Sequence, residues 1–336
     1  MSVVSCEDYI RGQNFVAECI TKARESACCA YPGCGAKPIR SHVQQLRGVL
    51  RRIAEDDKVI AFDGMDKLLT FARRMYEVNG VVFPSVGPVE TRRATSYPGF
   101  CRNHDTSVFK AIEHGAHFIP GDDEQLVAFF RRPYFYMRYC VEQSVLVAQE
   151  LCALDVRWSS IRNMLMPRYL ALSDYSKSVW SEGFRADLNY IWRVIKKEIP
   201  ISCTCCIDLP VGLSVGRESS CLAFAAYALL PGDGETHAIL IWDKKFATEV
   251  DCLLQRFSTK SNSALCEVLN ELTFARSADF CVKPSFWKGV PENEKAIVEY
   301  NLMCIVARRL GKVKTPHIID IPDGVLCVDG LIREKA

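Results

Sequence analysis

The sequence predicts an α+β protein in three successive parts. These are an N-terminal metal-knuckle module over residues 1–120, a helical section over 121–199 and a mixed α/β region over 200–336. Three observations carry this. Two short-spaced groups, Cys29-x4-Cys34 and Cys101-x2-His104, have the content of one four-ligand metal site. From Asp123 to about Lys197 aromatic and arginine residues recur at helical spacing, as in QLVAFFRRPYFYMRYCVEQSVLVAQELC and FRADLNYIWRVIKKEI. After Pro200 the pattern turns to short apolar runs, ISCTCCIDL, CLAFAAYALL and HAILIW, separated by Gly-rich turns, which is the pattern of a sheet.

In chain order, residues 9–26 have helical spacing. The segment CCAYPGCGAKPIRSHV then places two cysteines around a Pro-Gly turn, and residues 37–43 read as a strand with Ser41-His42 at its end. Residues 44–55 read as a helix with Leu46, Val49, Leu50 and Ile53 on one face, residues 58–62 as a short strand and 67–78 as a second helix. Prolines and glycines make 81–100 irregular or hairpin-like. Beyond the second knuckle, Gly99-Phe100-Cys101-Arg102-Asn103-His104-Asp105, residues 106–113 are expected to be helical. In the last part, helices are expected at 249–257, 264–272 and 293–309. Residues 283–287, Lys-Pro-Ser-Phe-Trp, read as an extended aromatic plug.

Charge and cysteine usage bound the function. The 42 Lys+Arg against 40 Asp+Glu leave a net +2, so any nucleic-acid contact must come from a local patch. No apolar run approaches the ~18 residues of a membrane span, and the N-terminus lacks the apolar core of a signal peptide, which predicts a cytoplasmic protein with no membrane contact. There the 17 cysteines are expected to be buried thiols or metal ligands, not disulfides. Zinc favours thiolate and imidazole in a tetrahedron, and a pair on a turn plus a pair at a helix start is the ligand plan of a treble clef. Cys28 stands as an alternative to Cys29.

Beside this site lie His42 and Asp105. Over residues 28–113, the run C-x4-C, SHVQQ and GFCRNHD resembles a bacterial zinc-knuckle family of unassigned activity marked by S-H-x-x-Q and G-F-C-x-x-H-D. In position it is also similar to the HNH nucleases of the ββα-metal class. Ser41 stands where that class has an acid or a histidine. The resemblance implies structural zinc on Cys29, Cys34, Cys101 and His104, with His42 as general base. It further implies that Asp105 helps hold a catalytic Mg²⁺ or Mn²⁺, and suggests a role in bacterial defence. From the residues alone, His42 can equally brace the knuckle, and Asp105 can simply favour a helix N-terminus.

Arg47, Arg51, Arg92 and Arg93 flank the knuckles and are expected to form a phosphate-facing patch, with Arg52, Arg73 and Arg74 nearby. Arg131, Arg132, Tyr134, Tyr136, Arg138 and Tyr139 suit stacking on single-stranded bases, or a packed helix with snorkelling arginines. Cys203, Cys205, Cys206 and His237 do not suggest a second metal site, because Cys206 points to the opposite strand face from the other two. Walker, dinucleotide-binding, nucleophile-elbow and zincin motifs are missing from the sequence. The expected function is therefore an HNH-like metal-dependent nuclease acting on DNA or RNA. The alternative is a non-catalytic, zinc-stabilised module whose larger C-terminal region recognises a protein or nucleic-acid partner.

Overall fold

The computed structural model describes residues 27–62, 86–113, 118–152, 157–209, 223–306, 314–322, 325 and 327–329, with isolated positions 18, 21, 22 and 25 before them. The helices expected at 9–26 and 67–78, and Arg73-Arg74 with them, lie largely or wholly outside these residues.

The chain is mixed helix and sheet, as its patterning predicts. Among the described residues, ten strands form two antiparallel sheets. The smaller pairs β1 (Arg40–His42) with β4 (Ser96–Pro98), setting Ser41 opposite Tyr97 and His42 opposite Ser96. The larger has the order β10-β5-β8-β7-β6-β9-β2-β3. Its strands are β2 (Lys58–Ala61), β3 (Gly87–Glu90), β5 (Leu188–Ile195), β6 (Ile201–Leu209), β7 (Ala223–Pro231), β8 (Thr236–Asp243), β9 (Phe280–Val282) and β10 (Cys327–Asp329). The three stretches read from the sequence thus share one sheet.

Both faces of this sheet are covered, which is why its central strands are apolar throughout rather than alternating. Along β7, Ala225, Tyr227 and Leu229 face one core while Phe224, Ala226, Ala228 and Leu230 face the other. The first face is packed by α4 (Ala247–Phe257), α5 (Asn262–Asn270), α6 (Pro284–Gly289) and α7 (Glu292–Val306). The second is packed by α2 (Asp123–Leu151) and α3 (Arg157–Val179), and the knuckle joins the same core through Cys29, Phe100 and Cys101. Helix α2 starts where the Asp122 carboxylate accepts the Glu124 and Gln125 amides, a standard N-cap.

The structure corrects two expectations and narrows a third. Residues 188–195, expected as helix, form β5, because YIWRVI is rich in β-branched and aromatic residues and every position of the strand pairs with β8. Residues 283–287 are not extended: Pro284 starts a short helix, its fixed φ and missing N–H being harmless in a first turn. Residues 44–55 are helical as expected, but only over Leu46–Ile53 and not as one regular α-helix: a π-helical turn, Leu46–Leu50, runs into a short α-helical piece, Arg51–Ile53, before the chain enters β2. Among the described residues, no helix is long and apolar enough to cross a membrane.

Candidate metal centre

The knuckle is shaped by backbone hydrogen bonds. Gly33 takes φ +73°, a left-handed conformation suited to glycine, and the Cys34 amide donates to the Tyr31 carbonyl at 3.1 Å, closing the turn. The Cys29 amide donates to Ala36 O at 3.0 Å and Ala30 N–H to Gly99 O at 2.9 Å, tying the first knuckle to the second. Ile39 N–H donates to Phe100 O at 2.7 Å. Helix α1 (Arg102–Val108) begins directly after Cys101, so Cys101 and His104 lie one turn apart, with Asp105 N–H bonded to Cys101 O at 2.8 Å.

This framework brings Cys29, Cys34, Cys101 and His104 together, with one potential ligand atom from each within 4.8 Å of all the others. Cys29 Sγ and Cys101 Sγ lie 3.4 and 3.3 Å from His104 Nδ1, and Cys34 Sγ lies 4.0 Å from Cys101 Sγ. Tetrahedral zinc, with bonds of ~2.3 Å to sulfur and ~2.05 Å to nitrogen, separates ligand atoms by about 3.8 Å (S···S) and 3.6 Å (S···N). The cluster therefore fits one metal ion. Cys29 is the buried member of the Cys28–Cys29 pair and joins the cluster, whereas Cys28 is exposed. Burial pushes the Cys29 thiol up to about 11, while hydrogen bonding from the His104 backbone lowers that of Cys101. Metal binding at neutral pH must therefore displace thiol protons. The Tyr31 ring stacks on the His104 imidazole at 3.8 Å and 8°.

A second, polar centre lies behind the knuckle. His42, at the end of β1, is half-buried; burial and the Arg132 guanidinium lower its pKa, while a hydrogen bond to the Arg92 backbone and the carboxylates of Asp105 and Glu113 oppose them. Its Nε2 is buried without a protein partner. Asp105 is also half-buried. Burial raises its pKa, its bond with the Ser41 hydroxyl opposes this, and its Oδ1 has no partner. The same hydroxyl accepts Phe100 N–H at 3.1 Å, so Ser41 links strand, knuckle and carboxylate. Arg132, only 2% exposed, bonds Glu113 through Nη2 and lies 4.5 Å over the Phe109 ring, leaving Nε and Nη1 without partners.

His42 and Asp105 lie within each other's electrostatic field, and His42 is near the Arg92 backbone. Glu113 and Arg132 complete the centre. Sequence reading missed that role because the RR pair in α2 is indistinguishable by pattern from snorkelling surface arginines. Tyr134 and Tyr136, from the same aromatic stretch, are core residues, not exposed stacking platforms. Arg47, Arg51, Arg92 and Arg93 are exposed on the turns flanking β1 and β4, and Arg52 pairs with Asp233. Gln44 of SHVQQ is fully buried and fastens the module to the large sheet, donating to Asp279 O at 2.6 Å and accepting from the Ser202 hydroxyl. His237 is structural, accepting from Trp192 Nε1 at 3.1 Å and bonding Glu235 at 2.8 Å. No family model, curated protein or solved structure matches this chain.

Proposed function

We propose that this protein is an HNH-like, metal-dependent phosphodiesterase acting on DNA or RNA, built on a structural zinc site. One observation supports the reading above others: His42 Nε2 and Asp105 Oδ1, on a strand–strand–helix frame braced by the cluster, are buried polar atoms without protein partners, and their residues share one electrostatic field with Arg132 and Glu113. Such atoms each cost about 1–3 kcal/mol if left unsatisfied, so a centre holding both is fitted for a ligand rather than for stability. The three-thiolate, one-imidazole set of the cluster suits zinc, held by Cys29, Cys34, Cys101 and His104 with no position left for substrate.

The chemistry follows from the side chains. Its lowered pKa keeps His42 neutral near pH 7, and Nε2, without a protein partner, would take a proton from an attacking water. Asp105 Oδ1 would hold a Mg²⁺ or Mn²⁺ ion, which supplies charge stabilisation for the phosphorane and the leaving oxygen. Arg132 offers two donors to the same charge. Arg47, Arg51, Arg92 and Arg93 would meet the flanking phosphates.

The test combines elemental analysis of wild type and Cys101→Ser with a Mg²⁺/Mn²⁺-dependent cleavage assay of wild type and His42→Ala. The proposal predicts about one zinc per chain in wild type, lost in Cys101→Ser, and cleavage lost in His42→Ala with zinc retained. Zinc without cleavage of any polymer leaves the alternative, a zinc-braced module that binds nucleic acid, or a protein partner through its C-terminal region. Its support is that His42 and Asp105 are half-buried while the four arginines are exposed.

A further inference from the structure

Beside the knuckle runs a groove of about 920 Å³, bounded by the Tyr31 turn, Tyr97 and Gly99 of the second knuckle, and the facing sides of α2 and α3 up to Trp180. Its walls combine flat rings with buried, unsatisfied polar atoms. Tyr31, 38% exposed, meets Trp180 edge-on at 5.0 Å. Tyr97 and Gln143 line the groove and are each 3% exposed, yet the Tyr97 hydroxyl and Gln143 Oε1 have no protein partner. Trp180 Nε1 and Arg138 Nε, also in this lining, are likewise buried and unpartnered. Together they offer at least two donors, an acceptor and a hydroxyl that can be either, at fixed positions beside aromatic surface.

We infer that this groove seats unpaired nucleobases of a single-stranded nucleic acid, stacked on the exposed Tyr31 ring and read at their edges by Gln143, Arg138 and Tyr97. The inference rests on the nucleic-acid reading of the proposed function and narrows its substrate class. Bases are planar, carry donors and acceptors on one edge, and come with a phosphate. Arg138 and Lys177, the latter paired with Asp174 at 3.0 Å, supply cations along the wall, against a single lining carboxylate, Glu142. A protein-docking face would present a contiguous apolar patch, whereas Tyr31 and Leu146 are the only large exposed apolar side chains of the described residues that border the groove. Tyr97 also connects the groove to the polar centre. Its ring lines the groove, while its hydroxyl lies within the fields of Arg132 and Asp105. A duplex, whose base edges are already paired, gains neither the stacking nor the edge contacts.

The experiment measures affinity by fluorescence anisotropy on the full-length protein, without added divalent cation and at one salt concentration. The probes are labelled single strands of DNA and RNA, about 15 nucleotides long, and the duplex of the same sequence. Wild type should prefer single strands. Tyr31→Ala should weaken single-strand binding about 5- to 100-fold, with Tyr31→Phe close to wild type. Gln143→Met, similar in volume, should weaken it about 3- to 10-fold. Should Tyr31→Ala lose metal, Gln143→Met, which leaves the knuckle packing intact, decides the matter. Equal affinity for duplex and single strand, or Tyr31→Ala and Gln143→Met within twofold of wild type, would overturn the inference. Because cleavage is not read, the two proposals fail separately. Single-strand binding lost in Tyr31→Ala, without any nuclease activity, keeps the groove and removes the enzyme. Duplex cleavage indifferent to Tyr31→Ala does the reverse.

Discussion

Gly99 is the residue on which the knuckle, the groove and the polar centre all depend, and Gly99→Ala should damage them together. A Cβ placed there would lie 2.4 Å from Tyr97 Cε2, 2.6 Å from Cζ and 2.9 Å from the hydroxyl. Ordinary contact needs roughly 3.5–4 Å, so ring or backbone must move by about 1 Å. The ring has little room, since it is buried with Tyr136 at 5.0 Å and Tyr139 at 5.5 Å. The backbone is restrained as well, because Gly99 O holds Ala30 N–H at 2.9 Å and the next-but-one amide, Cys101 N, donates to Cys29 Sγ at 3.2 Å. Overpacking of this kind costs about 1–3 kcal/mol. Denaturant unfolding of the metal-loaded protein should show that loss, and competition with a chromogenic chelator should show weakened metal affinity. Tyr97→Leu removes the obstructing ring, so adding Gly99→Ala to that background should cost less than about 0.5 kcal/mol, the signature of coupled neighbours in a double-mutant cycle. A Gly99→Ala protein as stable as wild type, or the same penalty with and without Tyr97, refutes the reasoning.

Other perturbations probe the centre and the fold. Arg132→Leu strands Glu113 beside Asp105 and should destabilise by about 3 kcal/mol, whereas Arg132→Leu with Glu113→Leu should recover much of it; urea titration of the three proteins measures both. Gln44→Leu leaves the Ser202 hydroxyl without its acceptor and should lower stability by about 1–3 kcal/mol, detectable as a lower urea midpoint with metal content unchanged. If His42 is the base, cleavage should fall as pH drops below the ordinary histidine range, about 6.5, because a lowered pKa keeps the ring neutral above it; a flat profile from pH 7 to pH 5 counts against that role. Burial would raise the Glu271 carboxyl, but Arg256 at 2.7 Å and Arg276 at 2.6 Å outweigh it and hold it below the usual carboxylate range. A carboxyl depressed on folding contributes stability above its unfolded pKa, about 4.3, and loses it as pH falls through the folded value. Stability curves of wild type and Glu271→Gln should therefore converge below pH 4 and separate above pH 5.

Cys29, Cys34, Cys101 and His104 were legible as a metal set because ligand chemistry is written in residue type and short spacing: a knuckle needs its cysteines on one turn, and a helix start presents a Cys-x2-His pair on one side. The apolar runs of β6, β7 and β8 were legible for a similar reason. Sheet strands covered on both faces are apolar at most positions, a pattern confined to consecutive residues. Residues 188–195 were not, since Tyr-Ile-Trp-Arg-Val-Ile suits either a buried helix or a buried strand, and full pairing with β8, supplied by residues about fifty positions away, chose the strand. Nor could spacing decide between Cys28 and Cys29; burial against Phe100 and the Gly99 hydrogen bond to Ala30 did.

Residue type and spacing alone grouped Cys29, Cys34, Cys101 and His104 as a set able to hold a metal, placed His42 and Asp105 next to them along the chain, and gave the α+β composition. Each of these rests on local spacing and side-chain chemistry. What surrounds them came from the fold. It brought Arg132 from α2 and Glu113 from beyond α1 to His42 and Asp105, pinned the module to the sheet through Gln44 and Ser202, 158 residues apart, and opened the groove between the Tyr31 turn and Trp180. These are contacts between distant segments, fixed by packing on the two faces of the large sheet, and packing of that range leaves no periodic trace in a single chain.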